Sequence, residues 1–399
     1  MNLLFITSGK ISPIVGGTEH TTLTVASSLS AIYRYRCFAL YSGGPNIQPE
    51  APAFVVQRPI PKRGRVSFLE HFISENKIDV VLSQGNFGMT LLTKQAIDRV
   101  KLNKPLLIFV HHFTPGWEEN HVVFSDFVSQ VKNYNGKLGL LCSVIKLFLF
   151  PIYRIHHLCT LRSKYHDVYC VSNRVVLLTE SYKDMYVNYG KIKDSMKFVI
   201  IPNALSFPQS FEIRNYHTVK SKTVLIVARM DEIQKRISLA LKIWMDVKKH
   251  EGANDWQLQI AGSGPDYNTY VDYVKKMNLI DVCFVGQVNP EPYYLHASIF
   301  MMTSKSEGFP LTLNESMQYG VVPIAFGSFM SISEIIDNGS NGYIINEGNL
   351  NDYSQKLLLL MQDNDLRMEM AANALKSVDR YTPEKVSSMW NDLLLSLQK

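Results

Sequence analysis

Cysteine is scarce and unpatterned. Five residues (Cys37, Cys142, Cys159, Cys170 and Cys283) are spread over 399 positions with no C-x-x-C spacing. That argues against a disulfide framework and a structural zinc site, and for a reducing compartment. Long apolar runs are lacking too. The longest, Leu138 to Tyr153, is shorter than the ~20 residues of a membrane-spanning helix and contains Lys146 and Pro151. The opening residues Met-Asn-Leu-Leu-Phe-Ile-Thr have no basic stretch or cleavage signal and read as a core strand rather than a secretion signal. No G-x-G-x-x-G follows that strand, so the dinucleotide fingerprint of a dehydrogenase is missing. Repeats at solenoid periods and low-complexity tracts are absent. The basic half lacks the clustered aromatics of a nucleic-acid-binding sheet.

What is present is a chain with enough apolar residues, 46%, for a sizeable core and only 19% charged residues. Its net charge of +6 is unevenly placed. Residues 1–200 hold 23 Lys and Arg against 13 Asp and Glu, whereas 201–399 hold 18 against 22. A basic half joined to a mildly acidic one points to two domains with different partners, one of them anionic. Short apolar runs alternate with helical patterns throughout. In the first half they are Leu3–Thr7, Cys37–Tyr41, Phe54–Gln57, Asp79–Ser83, Leu106–Val110, Val175–Thr179 and Phe198–Pro202. In the second they are Thr223–Ala228, Gln257–Ala261, Cys283–Val285, Ile299–Met302, Val322–Ala325 and Tyr343–Ile345. Runs apolar on both faces and separated by helices predict α/β structure with parallel sheets covered on both sides. Two such series predict two doubly wound, Rossmann-like domains, residues 1–202 and 203–380. A polar stretch through Ser206, Pro208, Ser210 and Asn215 marks the boundary. A closing helix in 381–399 starts with Thr382 as N-cap and Pro383 at its first position.

Four motifs carry chemistry. The first, Ser304-Lys305-Ser306-Glu307-Gly308-Phe309-Pro310-Leu311, links a strand to a helix expected over Thr312–Gln318. A glycine-containing turn at a helix N-terminus offers backbone N–H groups and the positive end of the dipole, which suit a diphosphate. Carboxylates there suit sugar hydroxyls: Glu307 in the loop and Glu315 within the helix grip separate parts of one ligand. The alternative is a pair of solvated glutamates flanking an ordinary turn. Second, Arg229 and Lys235 follow the strand Thr223–Ala228, where cations point into the ligand crevice and neutralise a diphosphate leaving group. Arg236 reads as a solvated charge. Third, Gly16-Gly17 after the first strand and Gly262 in Ala261-Gly262-Ser263-Gly264 permit close backbone approach, with a tight turn as the plainer explanation of Gly262. Fourth, His111-His112 ends the strand Leu106–Val110, fit for a substrate hydroxyl or acid/base work. No H-E-x-x-H accompanies it, so it is a poor metal site.

Taken in order, these residues resemble glycosyltransferase family 4, retaining enzymes of the GT-B fold. The resemblance rests on the Gly-Gly loop, the strand-end His, Ile201-Pro202-Asn203, Arg229 with Lys235, and Glu307-x7-Glu315. Gly320-Val321-Val322-Pro323, Asn338-Gly339-Ser340-Asn341-Gly342 and the closing helix also take part. It is dense over 222–346 and thin over 43–165. It implies that Glu307, Lys235, Arg229 and one of His112 and His111 are catalytic, the spacing to Pro115 slightly favouring His112. It further implies that Gly16, Gly17, Gly262, Gly308, Phe309, Pro310, Leu311 and Glu315 bind the donor, with Glu315 on the ribose hydroxyls. The final helix would cross back onto the first domain. Arg236 stands where such proteins commonly have Gly, and Ser316 where they often have Ala. No D-x-D lies at a strand end, in keeping with metal-independent chemistry in which Arg229 and Lys235 do the electrostatic work.

The expected activity is transfer of a hexose-type sugar from a nucleoside-diphosphate donor (UDP- or GDP-sugar), with no separate cofactor and no metal. The expected acceptor is a glycan or lipid-linked glycan entering from the first domain, in surface-polysaccharide or lipopolysaccharide synthesis. Arg58, Lys62, Arg63 and Arg65, together with apolar Leu138–Tyr153, fit a cytoplasmic protein touching an anionic membrane. A buried helical hairpin is the other reading of that run. The rival functions are a sugar-nucleotide epimerase of the same fold and a non-catalytic sugar-nucleotide or glycan-binding module. Nucleic acid is not an expected partner.

Overall fold

The computed structural model describes residues 1–12, 17–43, 51–121, 137–207 and 211–398. The chain divides into two compact units, Met1–Ile201 and Pro202–Lys399. In the first, seven strands form one sheet: β1 (Asn2–Thr7), β2 (Arg36–Tyr41), β3 (Phe54–Pro59), β4 (Val80–Gln84), β5 (Leu106–His111), β6 (Arg174–Leu177) and β7 (Phe198–Ile200). Their order is β3-β2-β1-β4-β5-β6-β7, every neighbour parallel. The second sheet contains β8 (Thr223–Val227), β9 (Gln257–Ala261), β10 (Val282–Gly286), β11 (Ile299–Met302), β12 (Val322–Phe326) and β13 (Tyr343–Ile345). It runs β10-β9-β8-β11-β12-β13, again parallel throughout.

These are the thirteen stretches expected from the sequence, with ends moved by no more than two residues. The reason is visible in burial. The central strands β4, β11 and β12 are buried along their whole length. Parallel strands need helical crossovers, and helices on both faces leave no polar face to dilute the apolar run. The edge strand β3 is half-exposed and carries Arg58 and Pro59, residues that blunt an edge against pairing with another chain. Each order reverses once, between β1 and β4 in the first sheet and between β8 and β11 in the second. Ligand sites of open α/β sheets form at the carboxyl ends of strands at such points.

One alternative reading is corrected. Leu138–Tyr153 belongs to a single helix, Lys137–Val171, of 35 residues with Pro151 inside it, not to a buried hairpin. Leu161, Tyr165, Val168 and Tyr169 recur at helical spacing and are buried, whereas Leu149, Ile152, Tyr153 and Ile155 are exposed. Among the described residues no helix is long and apolar enough to cross a membrane. The polar stretch after Ile201 is tied to the second unit. Leu205 N–H donates to Tyr381 O at 2.8 Å, Gln318 Nε2 to Phe207 O at 2.7 Å, and Phe211 N–H to Gln318 O at 3.0 Å. These bonds fasten both ends of the stretch to the second unit. The closing helix, Pro383–Ser396, buries Val386, Trp390, Leu393 and Leu394 but leaves Met389 38% exposed.

Candidate active site

The reversal point of the second sheet brings the loop after β8 against the loop after β11. Asp231 caps the one-turn helix Glu232–Lys235, accepting from Ile233 N–H at 3.1 Å and Gln234 N–H at 3.4 Å. That short helix is then sewn to the second loop. Lys305 N–H donates to Gln234 O (2.7 Å), Gln234 Nε2 to Ser306 O (3.1 Å), and Thr303 Oγ1 to Lys235 O (2.9 Å). With both backbones fixed, Lys235 Nζ meets Glu307 Oε1 at 2.6 Å, the two side chains only 18% and 11% exposed. A short, largely dehydrated ion pair between loops is stronger than its surface counterpart and has a defined position.

Arg236, expected to be solvated, is not. Its guanidinium donates to Thr303 O (2.9 Å), Ser304 O (3.1 Å) and Glu347 Oε1 (2.8 Å), and lies 5.7 Å from the Phe326 ring centroid. Its backbone has φ 49°, in the left-handed region. A glycine would adopt that conformation without strain. Arg229, by contrast, is 70% exposed, with Asp231 3.9 Å away.

Glu315 lies on the helix Leu311–Gln318, one residue longer than expected, and is 7% exposed. Its carboxylate accepts from Ser206 Oγ and, at 2.9 Å, from Tyr294 OH. Burial first, then the nearby carboxylate, pushes the fully enclosed Tyr294 phenol well above its ordinary pKa. It therefore remains a donor to Glu315 at any ordinary pH. Phe309 is buried, edge-on to Tyr381 at 5.2 Å; Pro310 precedes the helix, Leu311 is its first residue, and Gly308 is half-buried. Ser206, Tyr294, Asp231 and Thr303 were not picked out by sequence. Of these only Asp231, an Asp just before a helical turn, carries a readable signal.

Gly262 is explained by packing. At φ 138° it presses on the loop after β8, and a Cβ there would overlap the Ala228 carbonyl; the next glycine, Gly264, would likewise overlap that of Met230. Ala228 N–H donates to Ala261 O and Met230 N–H to Ser263 O across the contact. Gly262→Ala is expected to cost about 2–4 kcal/mol in urea unfolding, through overlap and a disfavoured φ. An unchanged midpoint would show that the two loops part freely.

In the first unit, Gly16 lies outside the described residues and Gly17 is the first residue of the helix Gly17–Tyr33. His111 and His112 end β5 and its following residue, so they point to opposite faces. His111 is fully buried among Phe87, Phe109, Tyr165 and Tyr186, all within 5.8 Å between centroids, and neither ring nitrogen has a hydrogen-bond partner. His112 is 9% exposed and its Nε2 donates to Gln84 Oε1 at 2.5 Å. Burial lowers the imidazolium pKa of both, to about 3 for His111, aided by the neighbouring His112, and to about 4 for His112. Both are neutral at pH 7.

Residues 209–377 match the family of glycosyl transferases group 1. That stretch contains every site residue of the second unit except Ser206. The chain is 24% identical over 385 residues to an uncharacterized glycosyltransferase of Haemophilus influenzae, covering 95% of this chain and 96% of that one. It is 29% identical over 234 residues to the amylovoran biosynthesis glycosyltransferase AmsD of Erwinia amylovora, covering 57% of this chain and 63% of the relative. Among solved structures, the lipopolysaccharide outer core galactosyltransferase WaaB superposes with a TM-score of 0.68 at 16% identity over 100% of both chains. HepE of Anabaena, in complex with UDP-glucose, superposes with 0.67 at 13% identity, covering 99% and 100%. The structural likenesses establish the fold, two doubly wound parallel-sheet units.

Proposed function

We propose that the chain is a retaining glycosyltransferase that moves a hexose-type sugar from a nucleoside-diphosphate donor, a UDP- or GDP-sugar, to a glycan or lipid-linked acceptor. The observation that carries the reading is the Lys235–Glu307 pair, fixed at the carboxyl ends of β8 and β11 where the strand order reverses. Its context adds support: the family match spans these loops, and similar proteins include one named for lipopolysaccharide and one solved with UDP-glucose. Surface-polysaccharide or lipopolysaccharide synthesis is the setting this favours.

In this reading the N-terminus of the helix Leu311–Gln318 and the Gly308 turn receive the diphosphate, which suits their N–H groups and dipole. Lys235, steered by Glu307, and Arg229 neutralise charge as the bond from the anomeric carbon to the diphosphate oxygen breaks, the work a metal ion does in other transferases. Glu315 receives the ribose hydroxyls, and Ser206 and Tyr294 hold its carboxylate in one orientation while leaving it acceptor capacity. A new bond forms from the anomeric carbon to the acceptor oxygen on the face that the diphosphate leaves, so configuration is kept. The acceptor's proton departs with the diphosphate. Of the two histidines, His112 is the one this reading gives a sugar hydroxyl to contact, since His111 is sealed within rings. The exposed Leu149, Ile152, Tyr153 and Ile155, on a helix whose residues 137–166 include five Lys and Arg and no Asp or Glu, would rest on an anionic membrane.

The test is nucleoside-diphosphate release from a panel of UDP- and GDP-sugars, with and without lipid-extracted glycan acceptor. Acceptor-dependent release from at least one donor is expected, with the donor's anomeric configuration kept in the product. Conversion of the donor's sugar without acceptor would instead make the protein an epimerase.

A further inference from the structure

The first unit has its own reversal point, between β1 and β4, and a cleft of about 380 Å³ opens there. Ser8 follows β1, Asn86 follows β4, and Phe113, Trp117 and Glu118 follow β5; Lys164 lines it from the long helix. The Phe113 and Trp117 rings stack, with centroids 5.2 Å apart and planes 26° from parallel. Phe113 is 37% exposed.

The loop that carries this aromatic pair is held in place. Gly116 N–H donates to Tyr165 OH at 2.8 Å, and Tyr165 OH donates to Glu118 Oε2 at 2.7 Å. The Thr114 and Tyr182 hydroxyls are 3.0 Å apart, and Trp117 N–H donates to Thr114 O at 3.0 Å. Tyr165 and Tyr182 are themselves fully buried. Gly116 takes φ 87°, and the Tyr189 ring lies so close that a Cβ there would touch it at 3.2 Å. Aromatic rings that remain open to solvent on a loop pinned by buried tyrosines form a preorganised surface, so a ligand meets little ordering cost.

The surrounding groups indicate what such a surface takes. A pyranose ring has apolar C–H faces that lie on an aromatic ring and a rim of hydroxyls that both donate and accept. The rim here has an ammonium (Lys164), a carboxylate that also accepts from Tyr165 OH (Glu118), and a hydroxyl (Ser8) that accepts from the Asn86 amide, whose Oδ1 caps Met89 N–H; they are drawn from three loops and a helix. A nucleobase would stack equally well, but its polar atoms lie along an edge and need partners on one side. We propose that this cleft binds a pyranose ring of the acceptor, stacked on Trp117. The acceptor role rests on the transferase reading; the binding of a sugar ring does not.

Tryptophan fluorescence gives the test. Of the four tryptophans, Trp244, Trp256 and Trp390 are 0–4% exposed, and Trp117 alone is not buried. Acrylamide quenching therefore reads Trp117. The probes are octyl α- and β-hexopyranosides (gluco, galacto and N-acetylglucosamine forms) below their micelle concentrations. At least one is expected to reduce quenching at least twofold in a saturable manner. Calorimetric affinity for that glycoside should fall at least tenfold in Trp117→Ala and be largely restored in Trp117→Phe. UDP alone should leave the quenching unchanged. The proposal is overturned if no glycoside protects Trp117, if UDP protects it, or if Trp117→Ala binds as the wild type does. A separate calorimetric titration with UDP keeps the two readings apart. Glycoside binding without UDP binding contradicts the transferase and leaves the cleft standing, and the reverse contradicts the cleft alone.

Discussion

Lys235→Ala is expected to lower kcat by on the order of 10²-fold, a loss of about 2–4 kcal/mol of transition-state stabilisation. The basis is geometric. The ammonium is only 18% exposed and sits 2.6 Å from Glu307, on a loop fixed by Thr303, Gln234 and Lys305. It cannot be replaced by a mobile cation from solvent, and Arg229, 70% exposed, has no comparable placement. Because leaving-group charge grows only as the bond breaks, the loss should fall on kcat rather than on donor KM. Thermal unfolding of the variant separates this from a folding defect, since removal of Lys235 also takes a cation from the largely buried Glu307. A variant that is folded and retains full turnover would remove Lys235 from the chemistry. An effect confined to KM would make it a ground-state binder.

The second large effect is on stability against pH. His111 and His112 have pKa values near 3 and near 4 in the folded protein, against about 6.5 when unfolded. Their folded values are depressed, so the unfolded chain binds protons first as pH falls. Stability is therefore full above about pH 6.5 and is lost progressively from there down to the folded values. Each histidine contributes a slope of up to about 1.4 kcal/mol per pH unit within that window. The urea midpoint should fall steeply between pH 6.5 and pH 4.5. His111→Phe, a ring of similar size placed among Phe87, Phe109, Tyr165 and Tyr186, should make the fall shallower and leave the protein folded at pH 7. An identical pH profile in that variant would show that His111 is not sealed from water.

The strands were legible because doubly wound sheets bury both faces, so each run of β4, β5, β11 and β12 stands out as apolar between helical stretches. The loop residues were legible as types but not as a site. Lys235 and Glu307 are 72 positions apart, and only the reversal between β8 and β11 makes them neighbours. Ser206 is 109 positions from Glu315, within a polar stretch that reads only as a domain boundary. Tyr294 has no sequence signature, being one tyrosine among twenty. Arg236 looked solvated because charge usually is; three acceptors and the Phe326 ring at the loop junction outweigh that tendency. Choosing between His111 and His112 turns on one step of strand alternation, which spacing to Pro115 cannot fix.

The most direct test of the central claim, that the carboxyl ends of β8 and β11 bind a nucleoside-diphosphate sugar, is calorimetric titration of UDP and GDP into the wild-type protein and into Glu315→Gln. The account predicts saturable one-to-one binding of one of the two nucleotides, weakened at least tenfold in Glu315→Gln. Absence of binding by both nucleotides, or equal affinity in the variant, would contradict it.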